Sequence, residues 1–158
     1  MEIRVGNGFD VHAFTSGKNI ILCGVKIPYK FALSGHSDAD VGFHALTDSI
    51  FGALAEGDIG CWFPPSDTKW KNANSEIFLK KALDLMTNKK YHISNLDLTF
   101  ICETPRLSEY SELMKKNISR ICNLQIDTIG VKATTTEKLG FLGRNEGIAC
   151  MASVLLYK

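Results

Sequence analysis

The sequence has no Cys-x-x-Cys pair, no internal repeat, no low-complexity run and no strong excess of either charge. Each absence closes off a class. Five cysteines, an odd number scattered through hydrophobic contexts, read as reduced, buried thiols and not as a disulfide or zinc-finger framework. A reducing cytoplasm is the compartment that suits them. Eighteen Lys and Arg against seventeen Asp and Glu leave a net charge of +1, and the lysine pairs fall on separate faces, so no basic stripe for nucleic acid is expected. The longest mostly apolar tract, Gly147 to Tyr157, is well short of the ~20 residues that span a bilayer, and Glu2 and Arg4 break any signal-like start. Neither the phosphate-loop spacing G-x-x-x-x-G-K-[ST] nor a G-x-S-x-G nucleophile elbow occurs.

What is present is enough for one domain over residues 1–158, 45% of them hydrophobic. A chain of this size buries about 68–70% of its unfolded surface without staples, so a bound metal is expected to serve chemistry and not folding. Strands are expected over Ile3 to Val11, around Ile20 to Ile27, Leu96 to Cys102, Thr128 to Thr134 and Ile148 to Tyr157. A first helix is expected from Asp38, with Ser37 as its N-cap, Asp40 as the partner three residues on and Gly57 as a stop. A second starts near Asn74 or Ser75, and a third follows Pro105 with Leu107, Tyr110, Met114, Ile118 and Ile121 at steps of three and four. Cys61 to Asn72, with Pro64 and Pro65, is expected to be an irregular flap. The fold class is α+β: a mostly antiparallel four-stranded sheet with helices on one face.

Asp10 and His12 stand two apart in a predicted strand and leave the same face, placing a hard oxygen beside an imidazole nitrogen. His36 or His44 is then a candidate third ligand, leaving a tetrahedral position open for a substrate oxygen. On the first helix Asp40, His44 and Asp48 are four apart, a spacing that lets the carboxylates orient the imidazole. The helix start near Ser37 presents free N–H groups to an anion such as phosphate. Lys132 to Lys138 gathers three hydroxyls, the Glu137 carboxylate and two cations at a strand end, with Arg144 in the glycine-rich turn beyond, a set suited to phosphate oxygens and a hard divalent cation.

Five runs carry a family resemblance: Gly8-Phe9-Asp10-Val11-His12, His36-Ser37-Asp38-Ala39-Asp40, His44-Ala45-Leu46-Thr47-Asp48, Gly57-Asp58-Ile59-Gly60 and Lys132 to Phe141. From Arg4 to Tyr157 the chain resembles the 2-C-methyl-D-erythritol 2,4-cyclodiphosphate synthases of the methylerythritol phosphate route to isoprenoids. The resemblance implies a phosphorus–oxygen lyase that converts 4-diphosphocytidyl-2-C-methyl-D-erythritol 2-phosphate to the cyclic diphosphate and CMP. It also implies a homotrimer with interfacial sites, each holding one zinc ion and a second divalent cation, Mg or Mn. Matched by motif, Asp10, His12 and His44 are the zinc ligands, Glu137 holds the second cation, and His36 and Thr135 steady the reacting phosphates, with Ser37 beside them. Asp58, Ile59 and Gly60 match the erythritol contacts, and Phe63 to Asp67 the flap over that sugar. Cys102, Thr104, Pro105, Arg106 and Leu107 match the cytidine pocket from the neighbouring chain, and Ala133, Thr134, Phe141 and Arg144 complete the substrate contacts. Two departures stand out. Ala39 replaces a frequent glycine, which a helix start tolerates, and Met151 stands where some members carry a glutamate that pairs with the arginine matched by Arg144. The runner-up is a metal-dependent phosphohydrolase activating water at the same zinc; a trimeric binding module ranks third.

Overall fold

The computed structural model describes residues 1–158. Its spine is β1 (Ile3–Ser16), whose strict alternation has an unusual sense. Ile3, Val5, Phe9 and Val11 point to the exposed side, while Gly6 and Gly8 face a helix, α1 (Val41–Leu54). α1 is apolar almost all round, which suits a helix buried on nearly every side. Only Asp48 and Gly52 escape full burial along it.

The main sheet has five strands in the order β4 (Phe31–Leu33), β1, β7 (Gly147–Tyr157), β5 (His92–Ile101), β6 (Ile129–Thr134). All neighbours are antiparallel except β5 and β6. This corrects the expected four-stranded, mostly antiparallel sheet. β4 has three residues, too few to show a period. The parallel pair follows from α4 (Ser111–Cys122), which carries the chain back between β5 and β6, as a parallel connection requires. The predicted second strand is a separate hairpin, β2 (Asn19–Leu22) with β3 (Val25–Pro28). A short helix, α2 (Ile59–Trp62), follows α1, and α3 (Glu76–Asn88) packs on α1. The stretch expected to be irregular therefore holds the end of α2 and a 3-10 turn at Thr68–Trp70. A last short helix, α5 (Gly140–Gly143), precedes β7.

The start of α1 also differs. Its N-cap is Asp40, whose carboxylate accepts from Phe43 N at 3.0 Å, so Ser37 lies in the preceding loop and not at a helix terminus. α1 ends at Ala55 in a left-handed conformation, before Gly57. Ala39 lies before the helix at φ 58°, a conformation that glycine adopts freely and alanine only at a cost, so the expectation that a helix start tolerates alanine there is not met. Of the five cysteines, all free, Cys23, Cys102 and Cys150 are buried, whereas Cys61 is exposed on α2, contrary to expectation.

Asp40 is fully buried, and its oxygens also accept from Cys23 N at 2.8 Å and Gly24 N at 2.7 Å, tying the β2–β3 turn to α1. Burial pushes its carboxyl up to about 6, the three N–H groups offsetting only part of that. With the native pKa above the unfolded one, the native state binds the extra proton, and stability rises as pH falls through about 6. Between pH 7 and pH 5 this amounts to about 1 kcal/mol. Urea unfolding of Asp40→Asn at both pH values is expected to lack that increment; an unchanged difference between the two would count against it.

Candidate metal and phosphate site

Period two in β1 brings Asp10 and His12 to one face, and the first turn of α1 delivers His44 opposite them. His12 Nε2 and His44 Nδ1 each lie 3.0 Å from Asp10 Oδ2 and 3.1 Å from one another. A tetrahedral zinc ion with bonds of 2.0–2.2 Å spaces its ligand atoms by about 3.3–3.6 Å, so this triangle, at 3.0 to 3.1 Å, has to open by a few tenths of an ångström to take one. Burial raises the Asp10 carboxyl pKa, but the two imidazoles outweigh it and hold the group well below the usual carboxylate range. Burial likewise lowers the His12 pKa, and Asp10 more than reverses that. A hard anion between two nitrogens, in a partly buried cleft, is a donor set that could hold a cation.

The triangle opens into a cavity of about 210 Å³, lined also by His36, Ser37, Asp48, Ile59, Gly60, Phe63, Pro65, Trp70 and Phe78. His36 thus shares the cavity without joining the triangle. Phe63 packs on Phe78 at 4.6 Å and on Trp70 at 4.8 Å between ring centres, an aromatic wall facing the charged triangle. Asp58 caps α2 through Cys61 N at 2.9 Å, and Asp67 caps the 3-10 turn through Lys69 N at 3.1 Å.

The carboxylates expected to orient His44 act elsewhere. Asp40 is spent on backbone N–H groups, as above, and Asp48 accepts from Ile59 N at 2.7 Å, holding the start of α2 and not the imidazole. His44 Nε2 instead lies 2.7 Å from Ser75 Oγ and 3.1 Å from Ser37 Oγ, and Ser75 in turn donates to Asp38. Sequence spacing gives no sign of Ser75 or Asp38 in this role, since they lie 37 residues apart.

A second cavity, of about 340 Å³, lies between Cys102–Ser108 and Ala133–Thr135. It includes Pro105, Arg106 and Leu107 and shares no residue with the first. Glu103, which no spacing in the sequence singles out, orders the adjoining loop by accepting from Thr136 N at 3.2 Å and Lys138 N at 3.1 Å. Glu137 is exposed there and accepts from Thr135 Oγ1 at 3.0 Å. Thr104 bonds to Tyr29 and Asn145, at 2.6 and 3.0 Å. Arg144 pairs with Glu146 at 2.7 Å, and neither it nor Phe141 lines either cavity. Since β1 and β6 are separated by β7 and β5, the triangle and the Thr134–Glu137 loop are roughly 14 Å apart across the sheet. One chain brings together the ligand triangle, His36 and Ser37, but not Thr135 and Glu137.

Comparison with known proteins agrees with this geometry. The sequence profile of the YgbB family matches residues 3–157. The chain belongs to the YgbB family. Within that family, the 2-C-methyl-D-erythritol 2,4-cyclodiphosphate synthase of Cereibacter sphaeroides is 55% identical over 99% of this chain and 98% of its own length. A bifunctional enzyme IspD/IspF of Paracoccus denitrificans is 58% identical over the whole chain, which spans 42% of that relative's length. The Plasmodium falciparum IspF in complex with CDP superposes with a TM-score of 0.86 at 39% identity, covering 98% of this chain and 95% of that one. The resemblance carried by the five sequence runs thus holds for the whole YgbB fold.

Proposed function

We propose that this chain cyclises 4-diphosphocytidyl-2-C-methyl-D-erythritol 2-phosphate to 2-C-methyl-D-erythritol 2,4-cyclodiphosphate with release of CMP, acting as a phosphorus–oxygen lyase. The observation that carries the reading is the Asp10–His12–His44 triangle opening onto the His36–Ser37 loop. Family membership and a CDP-bound relative support it.

An oxygen of the substrate's own 2-phosphate forms the new bond to the β-phosphorus, and the bond from that phosphorus to the bridging oxygen breaks, its electron pair leaving with CMP. No protein nucleophile is needed, so the protein's contribution is position and charge. Asp10, His12 and His44 would hold zinc, and Glu137, an exposed carboxylate, would hold the second cation, Mg or Mn, which favours oxygen donors. These cations, when bound, supply positive charge against the phosphate oxygens. His36 and Ser37 orient the 2-phosphate side, and Thr135 the diphosphate. Asp58 takes the erythritol hydroxyls, while Ile59, Gly60 and Phe63 pack along the sugar and Asp67 anchors the flap over it. Cys102 and Thr104 to Leu107, with Ala133 and Thr134, enclose the cytidine. Arg144 and Phe141 reach the substrate only from a neighbouring subunit.

Two features support a homotrimer with interfacial sites. The triangle and the Glu137 loop lie too far apart in one chain to meet on one diphosphate, and the outer sheet face carries an apolar row: Ile3 53%, Val5 64%, Phe9 56% and Met151 54% exposed. Phe9 pairs directly with Met151 in the sheet, so that face is continuous.

Phosphorus NMR of the protein with substrate, zinc and magnesium is expected to show CMP and a cyclic diphosphate in equal amounts. CMP with an open-chain product would move the chain to the hydrolases, and no turnover of a zinc-loaded trimer would leave a binding module.

A further inference from the structure

We infer that Ser75, held by Asp38, is a positioning residue for His44: it fixes which ring nitrogen carries the proton and so presents the other to the metal. The inference rests on the metal reading above and extends it to residues outside the triangle.

The argument is a count of protons. Asp38 only receives: Oδ2 accepts from Ser75 N at 3.0 Å, and Oδ1 accepts from Asp40 N at 3.1 Å and from the Ser75 hydroxyl. A hydroxyl has one proton to give, and Ser75 gives it to the carboxylate. Its Oγ therefore faces His44 Nε2, 2.7 Å away, with a lone pair, and the bond forms only if Nε2 carries the hydrogen. In the neutral ring, the form that binds a metal, the Nδ1 lone pair is then free, on the side that meets Asp10 and His12. Ser75 is fully buried, so water does not compete for the Nε2 proton from its side. An imidazole that donates its second N–H to an outer partner is the usual support of a metal-binding histidine; here a serine relays the carboxylate that more often takes this place directly.

The relay also joins two segments of the site. Asp38 N donates to Ala73 O at 3.0 Å, and Asn72 N donates to His36 O at 2.8 Å, so the loop bearing His36 and Ser37 is tied to the chain that closes the flap. Ser75 is where that chain enters α3. Seating the flap's C-terminal end therefore seats the imidazole.

Ser75→Ala removes only the hydroxyl, since the backbone bond to Asp38 survives. Competition between the protein and a chromophoric chelator for zinc is expected to show about tenfold weaker binding. Ser37 lies 3.1 Å from the same nitrogen and takes over part of the role. The double variant Ser37→Ala/Ser75→Ala is therefore expected to lose up to about 100-fold, with trimer size and circular dichroism unchanged. Zinc affinity within twofold of wild type in both variants would overturn the inference. Independently of any variant, nitrogen NMR of histidine-labelled, zinc-loaded wild type is expected to place the His44 proton on Nε2, and a proton on Nδ1 would overturn it. A wild-type protein that takes up no zinc would instead overturn the metal reading, and this inference with it.

Discussion

His44→Ala is expected to strip zinc and ring closure together while leaving a trimer. The side chain is the one ligand that α1 supplies, and its loss leaves Asp10 and His12, two neighbours on one strand. Two ligands do not make the three-ligand, one-open-position site that catalytic zinc uses. The affinity loss should exceed the roughly 100-fold that removal of an outer partner costs. Without that charge, loss of about 4 kcal/mol of phosphate stabilisation slows the reaction about 10³-fold. The fold has reason to survive. His44 lines a cavity and is not packed in the centre of the core, and the cap that starts α1 belongs to Asp40. Metal analysis, size-exclusion chromatography and product formation on one preparation check all three statements, and full zinc occupancy in the variant would remove His44 from the ligand set.

How much of this was legible in the sequence depended on chain distance. Asp10 and His12 are readable because period two is rigid, and the helix bearing His44 because its apolar positions recur. What the residues alone left open was the choice between His36 and His44, which depends on where α1 begins. A serine before an acidic pair looks like a cap, yet Asp40, with three N–H groups to satisfy, holds that position. The partners of His44 were illegible for a different reason. Carboxylates at helical spacing were in view, but the contact is made by α3, whose docking on α1 brings Ser75 to the ring. The sheet shows the same division: long strands declared themselves, whereas three-residue β4 and the parallel β5–β6 pair are set by tertiary packing. The polarity of β1 is not legible in its sequence. Alternation announced a strand, and the ordinary inference puts its apolar side inward. Ile3, Val5, Phe9 and Val11 face out, because the inner side sets Gly6 and Gly8 against α1 and Asp10 and His12 against His44.

Those glycines set the geometry of the metal site, and Gly8→Ala is expected to show it. A Cβ at Gly8 would stand 1.9 Å from the carbonyl oxygen of Ala45 and 2.9 Å from Ser49 N, both backbone atoms of α1. Neither can swing aside as a side chain does, so the helix has to lift from the strand by roughly an ångström, and overpacking of this kind costs about 3 kcal/mol or more. The site lies on both sides of that gap. Gly8 is two residues from Asp10, and Ala45 follows His44, so lifting the helix widens the triangle whose edges are now 3.0 to 3.1 Å. A metal site tolerates little such change, because its bond lengths are fixed to within about 0.2 Å. The variant should therefore lose both urea stability and zinc affinity, whereas a substitution on the outer face of the same strand, Val5→Thr, should leave zinc affinity unchanged. Gly8→Ala with zinc binding intact and stability within about 1 kcal/mol of wild type would mean that close packing of β1 on α1 does not hold the ligands in place.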